Sequence, residues 1–217
     1  MQFRITGHAV LATAAGAEHP VTGHAVDPGF DPAPVLHSLG ERELRTAVFL
    51  PSGHVPGTRL PVLLDPYGGP HSQRVLQARN AHLTSRWFAE QGFAVLVTDG
   101  RGSPGRGPEF DRAIHGDLAG PVLEDQIAAL HAAAEAYPDL DLGRVGIRGW
   151  SFGGYLSALA VLRRPDVFHA GIAGAPPPAA TPSADWSRPP PPAGLGKYEV
   201  KYEEYDDPAV GKARKRS

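Results

Sequence analysis

The 217-residue chain contains no cysteine. That excludes a disulfide framework, thiol nucleophiles and cysteine-ligated metal centres. It also lacks any apolar run near the roughly 18 residues that signal a membrane span. No charge sign dominates: 21 basic against 23 acidic residues give a net charge of -2 and a pI near 6.5. Nucleic acid and anionic membrane surfaces are therefore not expected partners. The opening "MQFRITGHAVLATAAGAEH" has the rough order of a secretory leader, but its basic region is Arg4 alone and Gly7 and His8 interrupt the apolar part. A cytoplasmic protein is the expectation. There is no HExxH motif, and pairings such as His8 with His24 or His115 with Asp117 lack ligand spacing on one helix face. They read as solvated side chains, so no metal and no cofactor are expected.

What is present suits one ordinary globular domain: 41% hydrophobic and 20% charged residues, in a length sufficient to bury a core unaided. Three zones follow one another. Residues 1–40 are short-patterned and punctuated by Gly, Pro and His. "TGHAV" at 6–10 and 22–26 flanks a stretch that reads as a small hairpin. From 41 to 176 the pattern is regular. Strands are expected at 44–50, 60–67, 93–99, 143–149 and 168–176. Helices are expected at 80–92 (ended by Gly92), within 116–138 (stopped by Pro138) and at 151–165. "FAVLVTD" at 93–99 has the continuous apolar character of a strand buried on both faces. The alternation predicts an α/β fold with a mostly parallel sheet flanked by helices. After residue 176 the character changes. Residues 176–193 hold eight prolines in 18 positions, and 197–217 hold 11 charged residues in 21. A disordered C-terminal tail over 177–217 is expected, because such a segment buries too little apolar area to offset its ordering entropy.

The chemistry centres on "RGWSFGGY", residues 148–155, directly after the apolar "GRVGI". A GxSxG placed between a strand and a helix sets its serine on a sharp turn, with the hydroxyl raised above the sheet edge. The helix N-terminus then faces the site, and the backbone N–H of Phe152 can meet a developing oxyanion. The competing reading of Ser151 is a simple helix N-cap; the strand–turn–helix setting favours the nucleophile.

With "LPVLLDPYGGPHSQRV" (60–75), "WFAEQGFAVLVTDGRGSPGRG" (87–107) and "LEDQIAAL" (123–130), this motif resembles the catalytic domain of the prolyl oligopeptidase family of serine peptidases, in its dipeptidyl-peptidase type. The resemblance implies an α/β-hydrolase fold preceded by a β-propeller. By that measure residues 1–40 are the trailing edge of such a propeller, 41–176 are the N-terminal part of the catalytic domain, and the fold is incomplete and truncated at both ends. It implies Ser151 as nucleophile, and Tyr67 as the hydroxyl that joins the Phe152 N–H in the oxyanion hole. Alone, Tyr67 reads as a strand-end tyrosine before a Gly-Gly-Pro turn. A peptide substrate is the corresponding expectation; no cofactor is expected, and the sheet edge that missing later strands would uncover leaves a homo-oligomer open. The glycine- and arginine-rich 99–107 is read as a structural loop bordering the cleft. It lacks the Lys-Ser/Thr of a phosphate loop and carries Pro104 where a dinucleotide helix would start.

A serine nucleophile needs a base and an orienting carboxylate, later in the chain for this fold order. The last of the ten histidines is His169, read here as structural, and the tail offers Asp185, Asp206 and Asp207. His71 is the one upstream candidate for a substitute base; His37, His54, His82, His115 and His131 read as surface residues. The family likeness ends at Pro177 in this reading, the pattern of a shifted reading frame, a gene-model error or a degraded gene. The expected function is a serine peptidase impaired by the missing acid and histidine. The alternative is an inactive remnant or binding module that meets a partner through a sheet edge or its tail.

Overall fold

The structure, a computed structural model, describes residues 10–12, 18–20 and 28–177. These lie in the first of two compact units, Met1–Ala184; the second, Asp185–Ser217, and the expected tail from residue 178 onward lie outside the described residues. Strands β1 (Val10–Ala12) and β2 (Glu18–Pro20) pair antiparallel, as the hairpin reading expected.

A six-stranded sheet carries the rest. Its strands are β3 (Val35–Leu39), β4 (Leu44–Phe49), β5 (Leu60–Leu64), β6 (Ala94–Asp99), β7 (Leu140–Trp150) and β8 (Ala170–Gly174), in the spatial order β3-β4-β6-β5-β7-β8. The β3–β4 and β4–β6 pairings are antiparallel; β5–β6, β5–β7 and β7–β8 are parallel. Helices make the parallel crossovers. These are α1 (Leu83–Glu90) before β6, α2 (Pro108–Arg112) and α3 (Gly120–Ala136) before β7, and α4 (Phe152–Arg163) before β8.

Period-2 alternation sends neighbouring side chains to opposite faces of the sheet. Val48, Leu64 and Leu96 join Val122 and Leu130 of α3 and Leu156 of α4 in the larger core cluster. Their neighbours Phe49, Leu63 and Val95 join Ala89 and Phe88 of α1 in the smaller one. Covered on both faces, β6 is buried at every position, as its unbroken apolar run predicted.

Several boundaries differ from the sequence reading. The sheet begins at β3, upstream of the expected start at 41. The β3–β4 turn uses left-handed backbone at Gly40 and Glu43, with the Glu43 N–H donating to the Gly40 carbonyl at 3.0 Å. The expected helix 80–92 is a 3-10 turn, Arg79–His82, followed by α1, and Gly92 (φ 96°) follows its end as expected. Strand β7 is longer than 143–149 because its register against β5 shifts between Pro61 and Val62. Proline has no N–H to give the ladder, and the extra residues bulge there.

His82 is the clearest correction, being 1% exposed rather than on the surface. Its Nε2 donates to the Leu76 carbonyl at 2.7 Å and its ring packs on Phe49. Burial pushes its pKa below the ordinary histidine value, against the raising effect of that hydrogen bond. The unfolded chain takes up the proton below about pH 6.5, while the folded chain resists it. Stability therefore falls as pH drops below that point, by at most about 1.4 kcal/mol per pH unit for one proton. Urea midpoints at pH 7.5 and 5.5 check this: the fall with acidification is expected to be smaller in His82→Gln than in the wild type.

Candidate active site

Strand β7 ends at Trp150 and α4 starts at Phe152, leaving Ser151 alone on the turn with φ 55° and ψ -121°. A non-glycine residue in the left-handed region costs about 1–3 kcal/mol and persists only where its surroundings fix it. They do so here. The Ser151 N–H donates to the Gly174 carbonyl on β8 at 3.0 Å, and the Ser151 carbonyl accepts the Tyr155 N–H at 3.0 Å.

The flanking glycines are sterically required. A Cβ on Gly149 would lie 2.2 Å from the Gly153 backbone, one on Gly153 would lie 2.5 Å from the Pro66 carbonyl oxygen, and one on Gly154 would lie 2.3 Å from that of Gly174. The helix start is thus wedged between β7, β8 and the segment that follows β5.

That segment contains Tyr67. Leaving β5 through Asp65 and Pro66, the chain turns at Gly68 (φ 71°), and a Cβ on Gly69 would meet the Phe152 ring at 2.3 Å. The half-buried Tyr67 ring lies 6.0 Å from that of Phe152. The fold therefore brings Ser151, Phe152 and Tyr67 together from positions 84 residues apart in sequence. The Phe152 N–H belongs to the first turn of α4, where N–H groups have no acceptor within the helix and point toward the turn.

Three buried carboxylates tie down the segments that follow β5 and β6, and the sequence patterns assign a role to none of them. Asp65, 1% exposed, accepts from Arg148, Arg74 and Ser85. Asp99 accepts the backbone N–H groups of Arg74 and Val75; burial pushes its pKa up, partly offset by those bonds. Asp125, wholly buried, takes the N–H and guanidinium of Arg101. The available signal was an aspartate ending an apolar run, "VLLD" and "VLVTD", since a carboxylate at a buried strand end needs donors.

The 99–107 loop is structural, as read. Arg101 is committed to Asp125 and Glu124, and Arg106 donates to the Arg42 and Glu43 carbonyls while covering the Phe110 ring at 4.3 Å. It borders an open cleft of about 460 Å³ that also involves Glu41, Glu109 and Ala113, and none of the serine-turn residues lines it.

No described histidine is hydrogen-bonded to Ser151 among the described residues. His71 is exposed, with φ 70°. His169 serves structure, its Nδ1 accepting the Val145 N–H at 3.1 Å. His54 is not a plain surface residue, since its Nε2 pairs with Asp139 at 3.0 Å; His37 likewise bonds the Tyr137 hydroxyl at 2.7 Å. Asp117 accepts the N–H groups of Ala119 and Gly120 at the start of α3, which lowers its pKa. His8 and His24 lie outside the described residues.

A model of the prolyl oligopeptidase family matches residues 80–205. The chain belongs to the prolyl oligopeptidase family. The match includes Ser151 and Phe152, begins after Tyr67, and runs past Pro177, where the sequence reading had ended the likeness. Among relatives, dipeptidyl peptidase 8 of Homo sapiens is 40% identical over 134 residues, 59% of this chain and 15% of that protein. Prolyl endopeptidase FAP of Homo sapiens is 34% identical over 129 residues, 59% of this chain and 17% of that protein. The crystal structure of Porphyromonas gingivalis dipeptidyl peptidase 4 superposes with a TM-score of 0.55 at 30% identity, covering 78% of this chain and 20% of that one. The chain thus spans about a fifth or less of the length of these family members, and its helix-flanked mixed sheet matches part of the α/β-hydrolase domain of the dipeptidyl peptidase 4 structure. Among the described residues no helix is long and apolar enough to cross a membrane.

Proposed function

We propose that the domain performs serine-type acyl transfer on peptide bonds. The Ser151 oxygen attacks the scissile carbonyl, its proton passes to a base, and the tetrahedral oxyanion is held by the Phe152 N–H and the Tyr67 hydroxyl. Collapse, with the base returning that proton to the leaving nitrogen, releases the amine and leaves an ester on Ser151. Water, giving a proton to the same base, then attacks the ester, and the proton returns to Ser151 Oγ as the acid leaves. The observation that carries this reading is the left-handed Ser151 between β7 and α4, with the Tyr67 segment in contact with the first turn of that helix. The relatives' names, dipeptidyl peptidase and prolyl endopeptidase, support a peptide substrate.

We further propose that the 217-residue chain turns over slowly by itself. Residues 170–217 contain no histidine, so within these 217 residues no base follows His169 in the usual order. Loss of a catalytic serine or histidine costs about 10⁶ in kcat in a well-studied serine protease, with about 10³–10⁴ over water surviving from the oxyanion hole and binding. A fluorophosphonate probe tests the reading. Slow labelling that disappears in Ser151→Ala is expected, and Tyr67→Phe is expected to cut the labelling rate by about 10²-fold, as for other oxyanion donors. A folded, unlabelled wild type would overturn it. That result would favour the second reading, a binding module, which rests on the exposed β8 with Ile172 64% exposed beside Trp150 at 70%.

A further inference from the structure

We infer that Asp65 and Arg148 are positioning residues that set the spacing between the nucleophile turn and the Tyr67 segment. This inference rests on reading Ser151 and Tyr67 as nucleophile and oxyanion donor.

Asp65 is the residue at which β5 becomes the Tyr67 segment, two positions before the tyrosine. Arg148 lies on β7, three positions before Ser151. The parallel register pairs Leu64 with Ile147, so the two side chains belong to adjacent positions on neighbouring strands. Arg148 Nη1 donates to Asp65 Oδ1 at 2.9 Å. The other oxygen, Oδ2, accepts Ser85 Oγ of α1 at 2.8 Å and Arg74 Nη2, from beyond the tyrosine turn, at 3.2 Å. The Asp65 backbone N–H donates to the Leu96 carbonyl at 2.8 Å.

One carboxylate thus joins β7, α1 and both ends of the Tyr67 segment, anchored through its backbone to β6. With the side chain 1% exposed, these bonds are little screened by water. Arg148 is itself fixed, its guanidinium lying 4.8 Å over the Phe88 ring. Arg74 and Arg148 share the same carboxylate, so its loss would leave two guanidiniums facing each other, each about a quarter exposed.

Proximity makes this junction matter for chemistry. The first turn of α4 and the segment 66–69 are packed without room for a methyl group. A strand shift of even part of an ångström moves the tyrosine hydroxyl relative to the serine, and misplacement of about 1 Å can cost about 10²-fold in rate. Ser151 and Tyr67 are the reacting and stabilising groups; Asp65 and Arg148 touch neither the substrate nor its oxyanion.

Two measurements on the 217-residue chain test this, with Arg148→Ala and the milder Arg148→Lys. In amide hydrogen exchange, Arg148→Ala is expected to speed exchange over 66–76 while α3 keeps its protection. Arg148→Lys, which keeps a charge and one donor, is expected to lie between. In fluorophosphonate kinetics, Arg148→Ala is expected to lower the maximal labelling rate about tenfold with little change in half-saturation. In a Tyr67→Phe background the same substitution is expected to cost less than about twofold, because the group it positions is gone. Unchanged exchange over 66–76 in both variants overturns the inference whether or not Ser151 reacts. So does an equal rate loss with and without the Tyr67 hydroxyl, which is what general destabilisation would produce. Faster exchange in a wild-type-unlabelled protein instead sinks the nucleophile reading, and with it any catalytic role for the pair, while leaving the junction itself in place.

Discussion

Gly149→Ala is expected to destabilise the protein by about 3 kcal/mol or more, the upper part of the range for overpacking. A new methyl group there would sit 2.2 Å from both the carbonyl carbon and the oxygen of Gly153. These are backbone atoms of the first turn of α4, and no side-chain rotation can relieve the contact. Nor can the helix retreat, because Gly153 faces the Pro66 carbonyl and Gly154 faces that of Gly174. The three glycines close a single joint among β7, α4, β8 and the Tyr67 segment. For a chain of this size the loss corresponds to about 6–12 °C in Tm. Gly53→Ala is the control: its methyl group would meet nothing within 4 Å, and an effect within about 0.5 kcal/mol is expected. Thermal unfolding of both variants decides the matter, and a Gly149→Ala protein as stable as the control contradicts the described joint.

Asp125→Ala is expected to cost about 3–5 kcal/mol, the loss usual when one member of a buried ion pair is removed. Asp125 is wholly buried on α3 and holds the loop after β6 by three kinds of bond. Its Oδ2 accepts the Arg101 backbone N–H at 2.7 Å and Nε at 3.0 Å, and its Oδ1 accepts Nη2 at 2.9 Å. Without it, Arg101 keeps Glu124 and the Pro121 carbonyl, but its 18%-exposed guanidinium loses its main counter-charge. The neighbouring Glu124 is the comparison. Its side chain is 66% exposed, water screens its bond to the same arginine, and Glu124→Ala is expected to cost within about 1 kcal/mol. Urea unfolding of the two alanine variants separates a buried tie from a surface one.

The sheet was legible where burial was two-sided, because an unbroken apolar run such as 93–99 admits few other placements. The serine turn was legible because glycine, serine and glycine occur at a spacing that sterics demand, between a strand and a helix. Strand β3 carries no such signal. It is a five-residue edge strand whose Val35 and Leu36 are 51% and 40% exposed, so it carries neither a buried run nor clean alternation. The split before α1 falls at His82, whose ring turns inward to the Leu76 carbonyl, a bond that no helical periodicity encodes. Asp65, Asp99 and Asp125 were visible as residues but not as ties. Among their partners, Arg148 and Arg101 lie 83 and 24 positions away in sequence, and only the strand order brings them together. For the serine site itself, the fold places the three residues the sequence singled out next to one another. The family match covers two of them and begins after the third, Tyr67.

The most direct test of the account is a crystal structure of the chain after reaction with a fluorophosphonate, a mimic of the tetrahedral intermediate. Phosphorus is expected bonded to Ser151 Oγ, with one phosphonyl oxygen about 2.7–3.1 Å from both the Phe152 nitrogen and the Tyr67 hydroxyl. Phosphonate on another residue, or on Ser151 with that oxygen turned to solvent and away from both donors, would contradict it.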